Sequence, residues 1–174
     1  MIVVEVRRER RGDEDVVREV HRAAFVREGN NPPVETALLD RLRTDPAWLL
    51  RLSLVAVADG NVVGHIVATR ATIEPSGTPV LGLGPLGVLP DWQRRGVGTA
   101  LVHALLAAAE AGDETLVGVL GDPGYYGRFG FVTATRAGVT PPDPGWGRHF
   151  QIRSLVGPIR TGRFRYATPF DELG

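Results

Sequence analysis

The chain contains neither cysteine nor lysine. Without cysteine it has no thiol nucleophile, no disulfide, and no thiolate ligand for zinc or an iron–sulfur cluster. Without lysine it forms no Schiff base through a side chain, and it lacks the lysine of a Walker A phosphate-binding loop. All 20 basic residues are therefore arginines, a bias that a GC-rich genome would explain.

The arginines are balanced by 20 acidic residues, so the formal net charge is zero. We therefore expect no general electrostatic attraction to nucleic acid or to a membrane. Two arginine-rich segments, residues 7–11 and 160–165, have acidic residues nearby and are interpreted as solvated surface. Residues 1–6 lack the features of a signal peptide, and no apolar run approaches the ~18 residues of a membrane span. These features predict a cytoplasmic protein.

The length of 174 residues is close to that of one domain, and we expect a single domain over residues 1–174. Asp13 precedes a predicted helix and is expected to cap it. A second predicted helix follows the chain break at residues 30–33. The predicted strands are residues 2–6, 52–58, 62–73, 80–88, 115–120 and 149–155, with a further strand beginning near residue 129.

The strongest predicted helix spans residues 99–110, is rich in alanine and leucine, and ends at Gly112. It lies between two predicted strands with the proportions of a parallel βαβ unit. The strands before it are joined by short turns and form an antiparallel meander. The chain after residue 155 is expected to be irregular. The prediction is an α/β fold, with helices packed on one mixed sheet.

Residues 82–87 match the G-x-G-x-x-G pattern of dinucleotide-binding proteins, with Gly82, Gly84 and Gly87 as its glycines. That site requires its glycines between a strand and the start of a helix. Here the glycines fall inside a predicted strand, and Pro90 follows before any helix. We therefore interpret the segment as a strand with a bulge or a splay, where glycine permits close backbone approach.

Residues 93–98 read Gln-Arg-Arg-Gly-Val-Gly and lead into the strongest helix. A helix start carries unpaired N–H donors and the positive end of the helix dipole. Glycine is a poor choice in a first helical turn unless something must come close to the backbone. Together with the two arginines, this start predicts a site for phosphate or pyrophosphate. An ordinary helix start with surface arginines is the alternative.

The same segment resembles the Q/R-x-x-G-x-G/A signature of the GNAT-type N-acetyltransferases. Residues 86–90 resemble the family's strand before its acetyl-CoA loop, and residues 126–131 resemble its Y-x-x-x-G-F element. The resemblance implies a GNAT-like fold: a mostly antiparallel sheet with a parallel βαβ cofactor unit and splayed strands. It also implies that residues 1–50 supply acceptor-side helices, residues 80–133 the acetyl-CoA-binding core, and residues 134–174 a C-terminal strand and tail.

In the family, the strand before the loop binds the pantetheine arm, and the loop wraps the CoA pyrophosphate. The residues that the resemblance assigns to acetyl-CoA are Leu86, Gly87, Val88, Gln93, Arg94, Arg95, Gly96, Val97, Gly98, Thr99, Asp122 and Tyr125. The chain departs from the family at Asp122, where many members have asparagine and a longer following helix. A turn-forming role before Pro123 is therefore an equal alternative for Asp122.

The implied reaction is direct transfer of the acetyl group to an amine of a small molecule or a peptide, since no cysteine is present to form an acyl-enzyme. Tyr126 is the candidate acid for the leaving thiolate, because a phenol pKa of roughly 10 lies above a typical thiol pKa near 8.5. Packing against the cofactor is its alternative role. A backbone N–H near Val88 is the candidate oxyanion donor.

The group that removes the amine proton is not identified by the sequence. Its candidates are Glu28, Glu35, His65 and His149. His21 and His103 lie on predicted helices and are interpreted as surface or core residues. Candidates for an acceptor pocket are Trp48, Trp146 and Phe150, although large aromatic residues are more often core. The four histidines are scattered without H-x-x-x-H spacing, so no metal is expected.

Two other classes of protein remain as alternatives. One is a non-catalytic module that binds acyl-CoA as a sensor, against which Tyr126 argues. The other is a nucleotide-binding domain, against which the strand context of residues 82–87 argues. The expected partner is an amine acceptor, with no nucleic acid and no membrane, and the expected assembly is a monomer or a homodimer.

Overall fold

The structure, a computed structural model, describes residues 2–173. Within these residues the strands are β1 (Val4–Arg8), β2 (Ser53–Ala58), β3 (Asn61–Glu74), β4 (Thr78–Val88), β5 (Leu116–Leu120), β6 (Val132–Thr133), β7 (Val139–Thr140), β8 (Phe150–Ser154) and β9 (Gly162–Arg165). The α-helices are α1 (Glu14–Phe25), α2 (Val34–Thr44), α3 (Val97–Ala111) and the short α4 (Pro123–Tyr126). All nine strands join one sheet.

The main path of the sheet runs β1-β2-β3-β4-β5-β8-β6, and β9 pairs with both β3 and β7. The first four strands pair antiparallel, which confirms the predicted meander. Strands β4 and β5 pair in parallel across α3, which confirms the predicted βαβ unit. The mixed α/β sheet is therefore the predicted fold class.

Helices cover both faces of this sheet. Gly64 and His65 are neighbours on β3, so their side-chain directions point to opposite faces. A side chain at Gly64 would meet Val97 and Leu101 of α3, whereas His65 contacts His21 of α1. Helix α3 therefore packs on one face and α1 on the other, and α2 packs beside α1.

Helix α3 forms because its larger apolar residues recur at helical spacing and form one buried stripe. Its buried residues are Val97, Leu101, Val102, Leu105, Leu106 and Ala109. Burial of one leucine or valine side chain stabilises the fold by roughly 1.5–3 kcal/mol, so this stripe anchors the helix strongly. Gly112 follows its last residue, as predicted.

Strands β4 and β5 stay together over only three residue pairs, from Leu81 with Val117 to Leu83 with Val119. The register of β4 against β3 then shifts at Gly84, whose φ of 131° few other residues adopt. Beyond this bulge β4 continues to Val88 paired with β3 alone. The interpretation of residues 82–87 as a bulged, splayed strand is confirmed, and the segment lies wholly inside β4 rather than before a helix.

Two details of the predicted organisation were wrong. Asp13 precedes α1 but does not cap it, because its carboxylate accepts hydrogen bonds from the Arg7 side chain and the Arg10 backbone N–H, each at 2.7 Å. The tail after residue 155 is not wholly irregular, because β9 pairs antiparallel with the end of β3.

The two arginine-rich segments are also not simply solvated. Glu9 lies within the first and is only 6% exposed, and Phe164 lies within the second and is fully buried. Across residues 2–173, no helix has both the length and the apolar character needed to cross a membrane.

Candidate active site

A cleft of about 860 Å³ opens where β4 and β5 separate. Its β4 wall is Leu83, Gly84, Pro85 and Leu86, and its β5 wall is Val119, Leu120 and Gly121. Side chains from the helices and the tail complete it, among them Phe25, Glu35, Tyr126, Trp146, Tyr166 and Phe170. The cleft therefore combines the splayed edge of the sheet with the helices that were predicted to face the acceptor.

The start of α3 has backbone N–H groups that the helix itself does not bind. Gly96 precedes the helix in the left-handed conformation, with φ of 83°. The first hydrogen bond of the helix ladder runs from the Ala100 N–H to the Gly96 carbonyl at 3.0 Å. The N–H groups of residues 97–99 precede that ladder, and the side chains of Arg94 and Arg95 are exposed beside them. Binding of the CoA pyrophosphate at this helix start stays a prediction.

Gln93 joins this loop to the end of β4. Its side-chain Nε2 donates a hydrogen bond to the Val88 carbonyl at 3.0 Å. Because β5 has already diverged, the edge of β4 that faces the gap at residues 86–88 is not occupied by β5. Strand-edge N–H and C=O groups that no neighbouring strand pairs suit the amides of a pantetheine arm, although the Val88 carbonyl is already bound by Gln93.

Gly98 is glycine for a reason that the sequence did not show. A Cβ at this position would stand 2.7 Å from the hydroxyl of Tyr125. The guanidinium of Arg128 lies 4.9 Å from the centre of the Tyr125 ring on its other side. The close approach at the helix start is therefore made by Tyr125, which covers the predicted pyrophosphate loop.

Tyr126 lines the cleft and is only 8% exposed. Its ring packs directly over Gly121, where any side chain would collide with it, and edge-on to Phe131 at 5.6 Å between ring centres. Burial, with a smaller contribution from Tyr125, raises the pKa of the Tyr126 phenol well above its usual value of 10. The phenol therefore keeps its proton at any physiological pH and presents a hydrogen-bond donor.

Asp122 begins α4 and accepts a hydrogen bond from the Gly124 N–H at 3.1 Å. It therefore forms the turn that was one of its two alternatives. Its contact with the pantetheine arm stays a prediction.

Of the four candidates for the base, Glu35 alone lines the cleft, and its Oε2 is buried without a hydrogen-bond partner among residues 2–173. Glu28 and His149 are exposed and lie outside the cleft lining, and His65 is fully buried beneath α1. The structure therefore brings together Glu35 and Tyr126, and separates both from Glu28 and His149.

Of the three aromatic candidates, Trp146 lines the cleft. Phe150 is fully buried in the core, and Trp48 packs among the helices with the Arg43 guanidinium 5.0 Å from its ring centre. Of the two histidines on helices, His21 is fully buried and His103 is exposed. In the described part of the chain, no three histidine or acidic side chains are grouped to hold a metal ion.

Residues 15–131 match the model of the acetyltransferase (GNAT) family. This chain belongs to the GNAT family. It is 34% identical to the uncharacterized N-acetyltransferase YjhQ of Escherichia coli K12, over 94% of this chain and 92% of that protein.

Two solved GNAT structures are similar to this one. The GNAT N-acetyltransferase YhbS of Escherichia coli, in complex with CoA, has a TM-score of 0.87 at 27% identity, covering 100% of this chain and 95% of that one. A GNAT acetyltransferase of Brucella melitensis, in complex with acetyl-CoA, has a TM-score of 0.78 at 33% identity, covering 97% of this chain and 99% of that one. The predicted GNAT fold and the N-acetyltransferase class are confirmed.

Two groups near the GNAT cleft were missed by the sequence analysis. Tyr166 lines the cleft between the two splayed strands, with its ring against Gly82. His21 and His65 meet in a buried hydrogen bond of 2.7 Å although 44 residues separate them. Neither contact has a local sequence signal, because each joins distant segments through the sheet.

Proposed function

We propose that this GNAT enzyme transfers the acetyl group of acetyl-CoA directly to an amine of a small molecule or a peptide. The observation that carries the proposal is the shared cleft. Tyr126, a protonated phenol, and Glu35, a carboxylate with an unpartnered oxygen, line one cavity at the point where β4 and β5 separate. The Tyr126 hydroxyl suits a departing thiolate, and the Glu35 carboxylate suits an arriving ammonium.

In this proposal the start of α3, with Arg94 and Arg95, holds the pyrophosphate of acetyl-CoA. The edge of β4 at residues 86–88 holds the pantetheine arm, with Asp122 and Tyr125 on the other side. The N–H groups at the helix start, which precede the helix ladder, and the edge of β4 that β5 leaves support this placement. The complexes of the two similar GNAT proteins with CoA and acetyl-CoA support the choice of ligand.

The arriving ammonium first loses one proton to solvent, and the neutral amine then attacks the thioester carbonyl carbon. A backbone N–H of β4 near Val88 stabilises the oxyanion that forms. The carbon–sulfur bond then breaks, and the Tyr126 hydroxyl donates a hydrogen bond to the sulfur as negative charge develops. Because burial raises the pKa of Tyr126, its contribution is mainly this hydrogen bond to the sulfur rather than early loss of its proton.

Glu35 supplies acceptor recognition. Its Oε2 lies in the cleft wall without a partner in the described residues, and a buried carboxylate oxygen without a partner is costly. An ammonium group of the acceptor would satisfy that oxygen. The acceptor is therefore a cationic amine whose apolar part lies against cleft aromatics such as Phe25 and Trp146.

The test is thiol release from acetyl-CoA with a panel of primary amines, monitored as free CoA. We expect release with cationic amines that carry an apolar body. Glu35→Gln should raise the acceptor KM about tenfold, the loss of one charge-assisted contact, and leave the acetyl-CoA KM unchanged. Glu28→Gln, an exposed carboxylate outside the cleft, is the matched control and should change neither. Binding of acetyl-CoA without thiol release for any amine would contradict the proposal.

A further inference from the structure

A chain of buried polar side chains runs from the end of β1 to α1. The Glu9 carboxylate is bound by Arg43 on one oxygen and by the Ser53 hydroxyl on the other. Ser53 Oγ lies 2.8 Å from His65 Nε2, and His65 Nδ1 lies 2.7 Å from His21 Nε2. Both histidines and Ser53 are fully buried, so this chain crosses the interior of the protein.

The direction of every hydrogen bond in this chain follows from Glu9. Burial alone would raise the pKa of Glu9, but the neighbouring His65 together with the hydrogen bonds from Arg43 and Ser53 outweighs burial and lowers that pKa to about 2. An ionised carboxylate only accepts, so Ser53 donates its one proton to Glu9. Ser53 Oγ therefore accepts from His65 Nε2–H.

The hydrogen-bond directions at His65 and His21 follow in the same way. A neutral His65 with its proton on Nε2 has a lone pair on Nδ1, which accepts from His21 Nε2–H. His21 then carries a lone pair on Nδ1, and this atom is buried without a hydrogen-bond partner in residues 2–173. The chain ends in one unpaired basic nitrogen.

That nitrogen lies against the strand of the active site. A Cβ at Gly87 would stand 2.7 Å from His21 Nδ1, so glycine at this position lets the ring contact the β4 backbone. Leu86, the next residue, lines the cleft. Phe25, one helical turn from His21, stacks on its ring at 5.9 Å between centres and also lines the cleft. The Phe25 side chain and Leu86 of β4 thus lie between His21 Nδ1 and the cavity.

We propose that Glu9, Ser53, His65 and His21 form a proton relay whose His21 Nδ1 accepts the proton that the acceptor amine loses during acetyl transfer. This inference rests on the proposed function. The amine N–H bond breaks after attack on the thioester, and an Nδ1–H bond forms on His21 through one water molecule, because Phe25 and Leu86 lie between the cleft and the ring. The proton on His21 Nε2 shifts toward His65 Nδ1, which moves the positive charge toward the Glu9 carboxylate. No electrons are exchanged, and the proton returns to solvent after product release.

The charges around the relay suit this task. Burial and the neighbouring His65 lower the pKa of His21 well below its usual value, and burial also lowers the pKa of His65. The facing charged groups are Glu9 and Asp13, which favour a proton on these rings, and Arg43, which opposes it. Both rings are therefore neutral at pH 7, as a base requires, and the Glu9 carboxylate stabilises the charge that arrives.

The decisive variant is His21→Gln. The glutamine Nε2 takes the place of the histidine Nε2 and keeps the donor to His65, but it leaves no titratable nitrogen beside Gly87. We expect kcat at pH 7 to fall about 100-fold with the acetyl-CoA KM unchanged. The deficit should shrink as pH rises, because hydroxide replaces the missing base. An unchanged kcat, or a deficit that is constant from about pH 6 to pH 9, would overturn the relay.

Glu114→Gln is the matched control. Glu114 is a carboxylate as buried as Glu9, and it is held by Arg51 and Arg70 away from the cleft. We expect this variant to leave the shape of the pH profile unchanged, whatever it does to stability. A pH profile altered as in His21→Gln would show that loss of buried charge, rather than loss of the relay, is the cause.

A second measurement needs no activity and no folded variant. Nitrogen-15 NMR of the imidazole rings in the unmodified chain reports which nitrogen of each histidine carries the proton. We expect His21 and His65 both to carry it on Nε2 at pH 7. A proton on His21 Nδ1 would remove the lone pair and overturn the relay. If acetyl-CoA binds but no amine is acetylated, the proposed function fails. The NMR result is independent of that outcome, because it reports the protonation of His21 and His65 without any turnover.

Discussion

The hydroxyl of Tyr125 lies over Gly98, at the first turn of α3, and fills the space that a side chain there would need. Tyr126, the candidate acid, is the next residue along the same short helix α4. The predicted pyrophosphate loop and the predicted acid are therefore joined by one contact. A change at the helix start is expected to reach the thioester end of the site as well.

Gly98→Ala should disturb both ends. The added methyl group meets the Tyr125 hydroxyl well inside contact distance, and such overpacking costs about 1–3 kcal/mol. We expect acetyl-CoA to bind roughly tenfold more weakly by calorimetry, with a fall in kcat. Gly98→Ala combined with Tyr125→Phe removes the colliding oxygen and should regain most of the affinity. No recovery in the double variant would mean that the methyl group blocks the ligand itself.

Tyr126→Phe tests the acid. We expect kcat to fall about 100-fold while the acetyl-CoA KM and the melting temperature stay near their original values, because the buried ring is kept and only the donor is lost. Since burial raises the pKa of Tyr126, we also expect the original enzyme to show no loss of activity from this group below pH 10. Steady-state kinetics across pH measures both. Turnover equal to that of the original enzyme would leave Tyr126 a packing role only.

Glu9→Gln should lower stability in a way that depends on pH. The pKa of Glu9 is lowered from 4.5 to about 2 in the folded protein, so the stabilisation is complete above about pH 5 and is lost as pH falls toward 2. At pH 7 this shift corresponds to a stabilisation on the order of 3 kcal/mol. Urea unfolding at pH 7 and at pH 3 should show a smaller difference between variant and original at the lower pH. A difference that does not change with pH would assign the effect to packing.

The parts of the fold that were predicted correctly have local causes. The meander follows from apolar strands joined by turn residues, as in residues 52–73, and α3 follows from its alanine- and leucine-rich repeat. The phosphate loop, which stays a prediction, was inferred because its glycines and arginines lie close together before α3. The bulge at Gly84 was predicted because glycines interrupt a strand before a proline.

The parts that were missed depend on contacts between distant segments. Strand β9 has only four residues, and it forms because it pairs with Thr72–Glu74 of β3, far away in sequence. The contact between His21 and His65 is of the same kind. Glu35 and Glu28 were equivalent as base candidates because position in the sequence alone does not show which side chain faces a cleft. A capping role for Asp13 was expected because it directly precedes a helix. Its competing contact with Arg7 of β1 has no signal in the sequence.

Gly162→Ala tests whether β9 holds the acceptor side of the cleft. Gly162 has a φ of 145°, and a Cβ there would collide with the Glu74 backbone carbonyl and stand 2.8 Å from Ile73 Cγ2. We expect a loss of stability of about 3 kcal/mol and a higher acceptor KM, because Arg163 and Phe164 of β9 line the cleft, while acetyl-CoA affinity is unchanged. Gly157→Ala is the matched control: its φ is also positive, but nothing lies within 4 Å of its Cβ, so only backbone strain of about 1 kcal/mol remains. Denaturant unfolding and acceptor kinetics are to be measured on both variants. If Gly162→Ala and Gly157→Ala change the acceptor KM equally, pairing of β9 does not shape the acceptor site.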